Sequence, residues 1–423
     1  MCKQLSIFLL FILVRAGEGG ILSCSGQNSN LNKAISLYED YEKYNVLKSF
    51  SQAKERIDSA TVNSATKDKH KTWFYRGKIY LALFDVNLKN EMNKSAETDI
   101  NKKVISAYNS ISMADVDEAL AAFQRSLELD EKKVYEQETN AKIRVIASNY
   151  NDKGYASLKM GSYAAAIMYY DKSYEMKLKT GVTDTAALYN SSIAAVNLKN
   201  YKKAETYYYK LIDLKYRTER CYISMIQMFN EAGDTASARK AISRGVAELP
   251  ESYMLLVEQI NLYLKDGNSK EAVRSINLAL AKDPNNHELH LVLGTTYNKM
   301  AFPKDASGTD QSRPANSAEL AKMAEAEFSK TISLKGDYAA GFYSLGIFYN
   351  NMGADILKQA DNIKEPKLLK LEEDKADEFF RKAIPFLEKA NDLNPGDSDN
   401  IRTLKQLYLR TGQGDSEKAR KLN

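Results

Sequence analysis

The chain has 423 residues, of which 44% are hydrophobic and 27% are charged, and its formal net charge is +5. Only 7 prolines and 20 glycines occur, so the composition favours helices over a loop-rich fold. Basic and acidic residues are interspersed, which argues against a nucleic-acid-binding stripe, and 3 cysteines are too few for a disulfide framework or a cysteine-rich zinc site.

The first 23 residues have the features of an export signal. Lys3 precedes the apolar run Leu5–Val14, which is shorter than the roughly 20 residues that a membrane-spanning helix needs. We therefore expect residues 1–23 to direct export and the polar residues 24–30 to form a flexible tether.

The end of this signal, Ile21-Leu22-Ser23-Cys24, resembles a bacterial lipobox. The resemblance implies cleavage before Cys24, lipidation of Cys24, and a mature chain that is held at a membrane by this anchor alone. Arg15 and Glu18 depart from an ordinary lipoprotein signal, so cleaved secretion and a misread start or uncleaved anchor stay open. The expected location is the bacterial periplasm or outer membrane, with a soluble periplasmic or secreted protein as the alternative.

A repeat of about 34 residues organises the rest of the chain. Ala166 follows Gly154 by twelve residues, and Tyr170 follows four residues later. The same spacing recurs at Ser192, Ala204 and Tyr208, at Ile226, Ala238 and Ile242, and at Ile260, Ala272 and Ile276. Units with longer spacing carry Gly77 with Ala119 and Phe123, Gly294 with Ala324 and Phe328, and Gly346 with Ala383 and Leu387.

These residues resemble the tetratricopeptide repeat (TPR), a helix–turn–helix unit with small and large residues at fixed positions. The small residues let two helices approach closely, and stacked units share one core. The resemblance implies an all-α, right-handed solenoid of antiparallel helix pairs, each with an A and a B helix. We expect about seven repeats plus a C-terminal cap over residues 31–423.

Three repeats carry insertions between the A and B helices, near residues 85–114, 300–317 and 354–378. The first and third are rich in Lys and Glu and are expected to extend the flanking helices, with Pro366 marking a bend. The second is a polar loop rich in Pro, Gly and Ser. Insertions of this kind are often binding surfaces, although they also occur as tolerated decoration.

No set of residues in the sequence indicates catalysis. The histidines are His70, His287 and His290, and the motif His287-Glu-Leu-His290 lacks the spacing of the zinc motif H-E-x-x-H. Cys221 is expected to be a small packing residue rather than a nucleophile. The sequence therefore predicts a protein that is not an enzyme and that needs no metal or cofactor.

In the TPR family, partners lie in a concave groove that is lined by the A helices. Carried onto this chain, the resemblance gives a lining of Phe74, Lys78, Asn151, Tyr155, Tyr189, Asn190, Ile193, Ile223, Gln227, Val257, Asn261, Leu291, Thr295, Tyr343 and Ile347. Of the basic and amide set by which some TPR adaptors clamp a terminal carboxylate, only Asn190 matches. The neutral, aromatic and amide-rich lining suits an extended peptide or a partner helix, unless several of its tyrosines only pack between helices.

The sequence as a whole predicts a non-catalytic protein–protein interaction scaffold of the bacterial cell envelope, with a protein or peptide partner and no nucleic acid. The alternative is an envelope nutrient- or glycan-binding lipoprotein. Trp73 is the only tryptophan and the longest loop has about 20 residues, so stacking of sugars on aromatic rings is poorly served.

Overall fold

A computed structural model describes residues 20–305, 307–414 and 416–422, with the backbone alone for 20–29. Within these ranges the chain forms nineteen α-helices and no β-strand, apart from one isolated bridge between Lys304 and Asp310. Most of the predicted export signal and the predicted lipid site on the Cys24 side chain lie outside the described part.

The described residues up to Cys221 form one compact unit. The helices of this unit pack as antiparallel pairs. The pairs are α1 (Gly20–Tyr44) with α2 (Leu47–Thr61), α3 (His70–Lys94) with α5 (Ala114–Leu129), α6 (Glu136–Lys159) with α7 (Tyr163–Lys179), and α8 (Thr185–Asn197) with α9 (Tyr201–Asp213). A further helix, α4 (Ile100–Ser110), lies in the connection between α3 and α5.

The residues from Tyr222 onward form a second compact unit with the same organisation. Its pairs are α10 (Thr218–Glu231, which begins in the first unit) with α11 (Thr235–Glu248), α12 (Tyr253–Lys265) with α13 (Ser269–Lys282), α14 (His287–Ala301) with α15 (Ser317–Leu334), and α16 (Ala339–Ala360) with α17 (Pro366–Leu393). The short pair α18 (Ser398–Arg410) and α19 (Glu417–Lys421) follows. The predicted all-α solenoid of helix pairs is confirmed, with eight pairs before the terminal one in the described residues.

The small and large positions of the repeat meet as the sequence predicts. An added Cβ would lie 2.7 Å from the Phe123 ring at Gly77, 3.0 Å from Tyr170 at Gly154, 2.8 Å from Phe328 at Gly294 and 2.5 Å from Leu387 at Gly346. The alanine positions are buried as well: Ala119, Ala166, Ala204, Ala238, Ala272, Ala324 and Ala383. In the four pairs that carry one of these glycines, the A and B helices therefore approach through a side chain that sits directly on the glycine.

Many of the 27 tyrosines join one helix pair to the next. The Tyr80 hydroxyl on α3 donates to both carboxylate oxygens of Asp58 on α2, each at 3.0 Å. Further hydrogen bonds of this kind run from Tyr150 to Asp117, from Tyr349 to Glu325 (2.5 Å) and from Tyr408 to Glu388 (2.6 Å). Each of these four tyrosines on an A helix thus finds its acceptor on the preceding B helix, which satisfies its polar end while its ring fills the core.

The insertions differ in part from expectation. Helices α3, α16 and α17 are extended as predicted, and Pro366 is the first residue of α17. The first insertion also contains the separate helix α4, whose start is capped by Asp99 through the Asn101 and Lys102 amides. Residues 302–305 and 307–316 form the predicted loop.

Residues 24–30 also differ from the expected flexible tether, because their backbone is part of the helix α1. Leu31, Ala34, Ile35 and Tyr38 of α1 are buried in a cluster that includes residues of α2. Once this part of the helix is fixed by packing, each added residue gains a backbone hydrogen bond, which favours extension of the helix toward its N-terminus.

A buried lysine holds α4 in place. Lys153 on α6 is 8% exposed, and its ammonium donates to the carbonyl oxygens of Tyr108 (2.5 Å), Asn109 (3.1 Å) and Ile111 (3.0 Å) at the end of α4. The Tyr108 hydroxyl donates to Asn149 Oδ1 at 2.9 Å. The last carbonyls of a helix carry partial negative charge and lack partners within the helix, so an ammonium there is stabilising.

Candidate functional site

The predicted groove residues lie on A helices, and consecutive A helices of the first unit, α1, α3, α6 and α8, contact one another. We call the surface formed by these four helices the A-helix face. Phe74 on α3 is 1% exposed and stacks on Tyr135 with 4.3 Å between ring centroids. Its predicted role in the groove is wrong, because Tyr135, in the connection before α6, covers the ring.

Lys78 is held by its own chain. Its ammonium lies 3.6 Å from Glu42 on α1 and 3.9 Å from Glu138 on α6, and its side chain is 14% exposed. The Tyr38 ring is 5.2 Å from the same ammonium. Lys78 therefore bridges three successive A helices, and a partner would have to compete with these contacts.

On α6, Tyr155 is available to a partner. It is 42% exposed, and the Lys159 ammonium lies 5.3 Å from the centre of its ring. Asn151, one turn earlier on the helix, is half-buried, and its Oδ1 accepts no hydrogen bond from the described residues. Burial raises the pKa of the neighbouring Asp152.

On α8, Tyr189 belongs to an aromatic and cationic cluster that the sequence did not reveal. The Arg217 guanidinium lies 5.4 Å from the centre of the Tyr189 ring and 5.5 Å from that of Tyr216, and the two rings meet edge to face. Arg217 is exposed, has a φ of 48° and forms no ion pair among the described residues. The signal in the sequence is the segment Tyr216-Arg217, which lies in a turn that the repeat pattern treats as a connection. Asn190 and Ile193 are half-buried on the same helix.

The candidates in the second unit differ in exposure. Gln227 and Asn261 are exposed, and Val257, Leu291, Thr295 and Ile347 are half-buried. Ile223 is 2% exposed and is therefore packing rather than lining. Burial raises the pKa of the half-buried Tyr343, and the nearby Asp397 and Asp399 add to this effect.

His290 and Cys221, the candidate reactive residues of the sequence, are both engaged in packing or hydrogen bonding within the chain. His290 Nδ1 lies 2.5 Å from Glu327, and its Nε2 lies 3.0 Å from the Pro284 carbonyl oxygen. Cys221 is fully buried, and burial raises the pKa of its thiol to about 11, which disfavours the reactive thiolate. Among the described residues no three His, Cys, Asp or Glu side chains are grouped so that they could hold a metal ion.

None of the helices within the described ranges combines the length and apolar character that crossing a membrane requires.

These features define the chain as an α-solenoid of stacked helix pairs that presents partly exposed aromatic and amide side chains on its A helices. Tetratricopeptide-repeat family models match residues 147–180, 185–217 and 230–294. These residues therefore carry tetratricopeptide repeats. TPR repeats generally mediate protein–protein interaction, and the fold is typically non-catalytic. No curated protein matches the sequence.

Several solved structures of TPR proteins are similar to the chain. The C-terminal part of a TPR repeat-containing protein from Cytophaga hutchinsonii is 14% identical, with 72% of this chain and 98% of that chain covered and a TM-score of 0.39. A TPR repeats protein from Bacteroides fragilis is 19% identical, with coverage of 62% and 98% and a TM-score of 0.30. A thermophilic TPR protein from Thermus thermophilus is 17% identical, with coverage of 48% and 87% and a TM-score of 0.32.

Proposed function

We propose that this protein is a non-catalytic interaction scaffold of the bacterial cell envelope that is exported, anchored through a lipid on Cys24, and binds an extended peptide or a partner helix on its A-helix face. The proposed partner contacts the side chains of Tyr155 on α6 and Tyr189 on α8. TPR solenoids use such extended surfaces to hold partners, and aromatic side chains are favoured anchors in interfaces.

The observation that carries the proposal is the exposure of Tyr155. Most large apolar side chains of the A helices are buried, whereas this ring is 42% exposed in a repeat that the family model matches. Tyr189, in the next matched repeat, is half-buried beside the exposed Arg217. A tyrosine that is partly wet in the free protein gains apolar burial when a partner covers it.

Binding of a partner to the A-helix face is tested by co-purification from solubilised envelopes. We expect one reproducible protein partner, and we expect Tyr155→Ala and Tyr189→Ala each to weaken its recovery, because loss of an aromatic anchor typically costs about 1–2 kcal/mol or more. Met168→Ala is the control, since Met168 is 54% exposed on the B helix α7, outside the A-helix face. Recovery that is equal in all three variants, or binding of glycan alone, would exclude the proposed surface.

The anchor is tested separately by metabolic labelling with a fatty-acid probe. Labelling should disappear in Cys24→Ala and persist in the control Cys2→Ala, because a lipobox directs the lipid to its cysteine. Labelling that survives Cys24→Ala would show that Cys24 is not the lipid site.

A further inference from the structure

The second unit contains a cavity of about 790 Å³ that is lined in part by the inserted loop, residues 302–305 and 307–316. It lies between the end of α14, the turn from α12 to α13, and the middle of α16. A volume of this size falls in the range of sites for small molecules, roughly 300–1,000 Å³. All of its lining residues belong to the second unit.

The loop is folded back and fixed, so that the cavity has a defined wall. Arg313 pairs with Asp355 of α16, and Lys358 of α16 pairs with Asp310 at 2.5 Å. The Arg313 guanidinium also lies 4.9 Å from the centre of the Phe302 ring. The Gln311 amide donates to the Pro303 carbonyl at 2.9 Å, which closes the base of the loop. A wall that is fixed before a ligand arrives lowers the entropy cost of binding.

The charges that line the cavity are unbalanced. Its cationic side chains are Lys299, Lys304, Arg313 and Lys358, and its only carboxylates are Asp310 and Asp355. Both carboxylates are engaged by Arg313 and Lys358. Lys304 reaches Asp310 only at 3.9 Å, and Lys299 forms no ion pair among the described residues. The cavity therefore carries a positive charge that its own residues do not compensate.

The uncharged lining is rich in hydrogen-bonding groups. Asn298, Gln311 and Asn351 contribute side-chain amides, and Ser269 contributes a hydroxyl. Such groups orient a polar ligand, whereas the single aromatic wall, Phe302, already faces Arg313.

We propose that this cavity binds a small polar molecule that carries an oxyanion, either a carboxylate or a phosphate. Lys299 and Lys304 supply the charge, and the amides of Asn298, Gln311 and Asn351 bind its remaining polar groups. An ammonium serves as a point charge for either oxyanion, so both forms of the ligand share one recognition chemistry.

The test is isothermal titration calorimetry of the purified full-length protein with D-glucuronate, glucose 6-phosphate and neutral glucose. We expect one or both anions to bind and glucose not to bind. Binding of D-glucuronate indicates a site for a carboxylate, and binding of glucose 6-phosphate indicates a site for a phosphate. The double variant Lys299→Gln/Lys304→Gln should weaken anion binding at least tenfold. The control Lys322→Gln/Lys330→Gln removes the same charge from exposed positions on α15 and should leave binding unchanged.

The proposal is overturned if neither anion binds, if glucose binds as tightly as the anions, or if the control weakens binding as much as the cavity variant.

Discussion

At the scale of single residues, a glycine on one helix and a large side chain on its partner set how closely the two helices pack. Gly346 shows this most sharply, because a Cβ there would lie 2.5 Å from Leu387 Cγ and 3.2 Å from the Leu387 backbone nitrogen. Backbone atoms cannot move aside as a flexible side chain can. The small residue is therefore a packing requirement at this position.

We predict that Gly346→Ala destabilises the second unit by about 1–3 kcal/mol, because overpacking forces the helices apart. Gly336→Ala is the control, since nothing lies within 4 Å of an added Cβ there. The midpoint of urea unfolding is measured for both variants. Equal midpoints for the two would contradict the packing role of Gly346.

The sequence predicted this pairing but not the accessibility of each groove residue. Spacing alone places Gly154 against Tyr170, because both belong to one repeat and the register between its helices is fixed. Whether Phe74 is exposed depends on Tyr135, which lies in a connection outside the repeated pattern. The same holds for Arg217, whose contact with Tyr189 depends on a left-handed turn residue.

At the scale of elements, the first insertion adds a helix that is fastened by polar contacts. The end of α4 gives three carbonyl oxygens to the Lys153 ammonium, and burial lowers the pKa of this lysine. The sequence predicted only extension of the flanking helices here, and the structure adds a separate helix with its own cap at Asp99. A composition rich in Lys and Glu indicates helix but does not indicate where one helix ends and the next begins.

We predict that Lys153→Met loosens α4, because it leaves the carbonyls at the end of the helix without their donor, at a cost of about 1–3 kcal/mol. Hydrogen exchange should accelerate about tenfold over residues 100–110. Lys102→Met, which changes an exposed lysine on the same helix, should leave exchange unchanged. Protection of α4 that is identical in wild type and Lys153→Met would show that the ammonium does not hold the helix.

At the scale of the whole molecule, tyrosine–carboxylate hydrogen bonds recur in both units. Burial, together with Asp171 or Glu325, raises the pKa of Tyr207 and of Tyr349 well above the usual value. Burial and Glu42 do the same for Tyr38. A raised pKa means that the folded chain keeps these protons at a pH where the unfolded chain releases them.

We therefore predict that the protein loses stability as the pH rises above about 10, the ordinary pKa of tyrosine. Below that pH both states are protonated and the contribution is fully present; above it, unfolding releases protons and is favoured. Urea midpoints between about pH 8 and pH 11, with phenolate absorbance followed in parallel, measure this effect. Ionisation of all 27 tyrosines before unfolding would contradict it.

The central claim is that a protein partner lies on the A-helix face at Tyr155. The most direct test replaces Tyr155 with the photocrosslinker p-benzoylphenylalanine in cells that naturally produce the protein. We predict one reproducible protein adduct that is lost when Tyr189→Ala is added, and no such adduct from the same substitution at Met168, which is exposed on the B helix α7. No adduct from position 155, or the same adducts from both positions, would contradict the account.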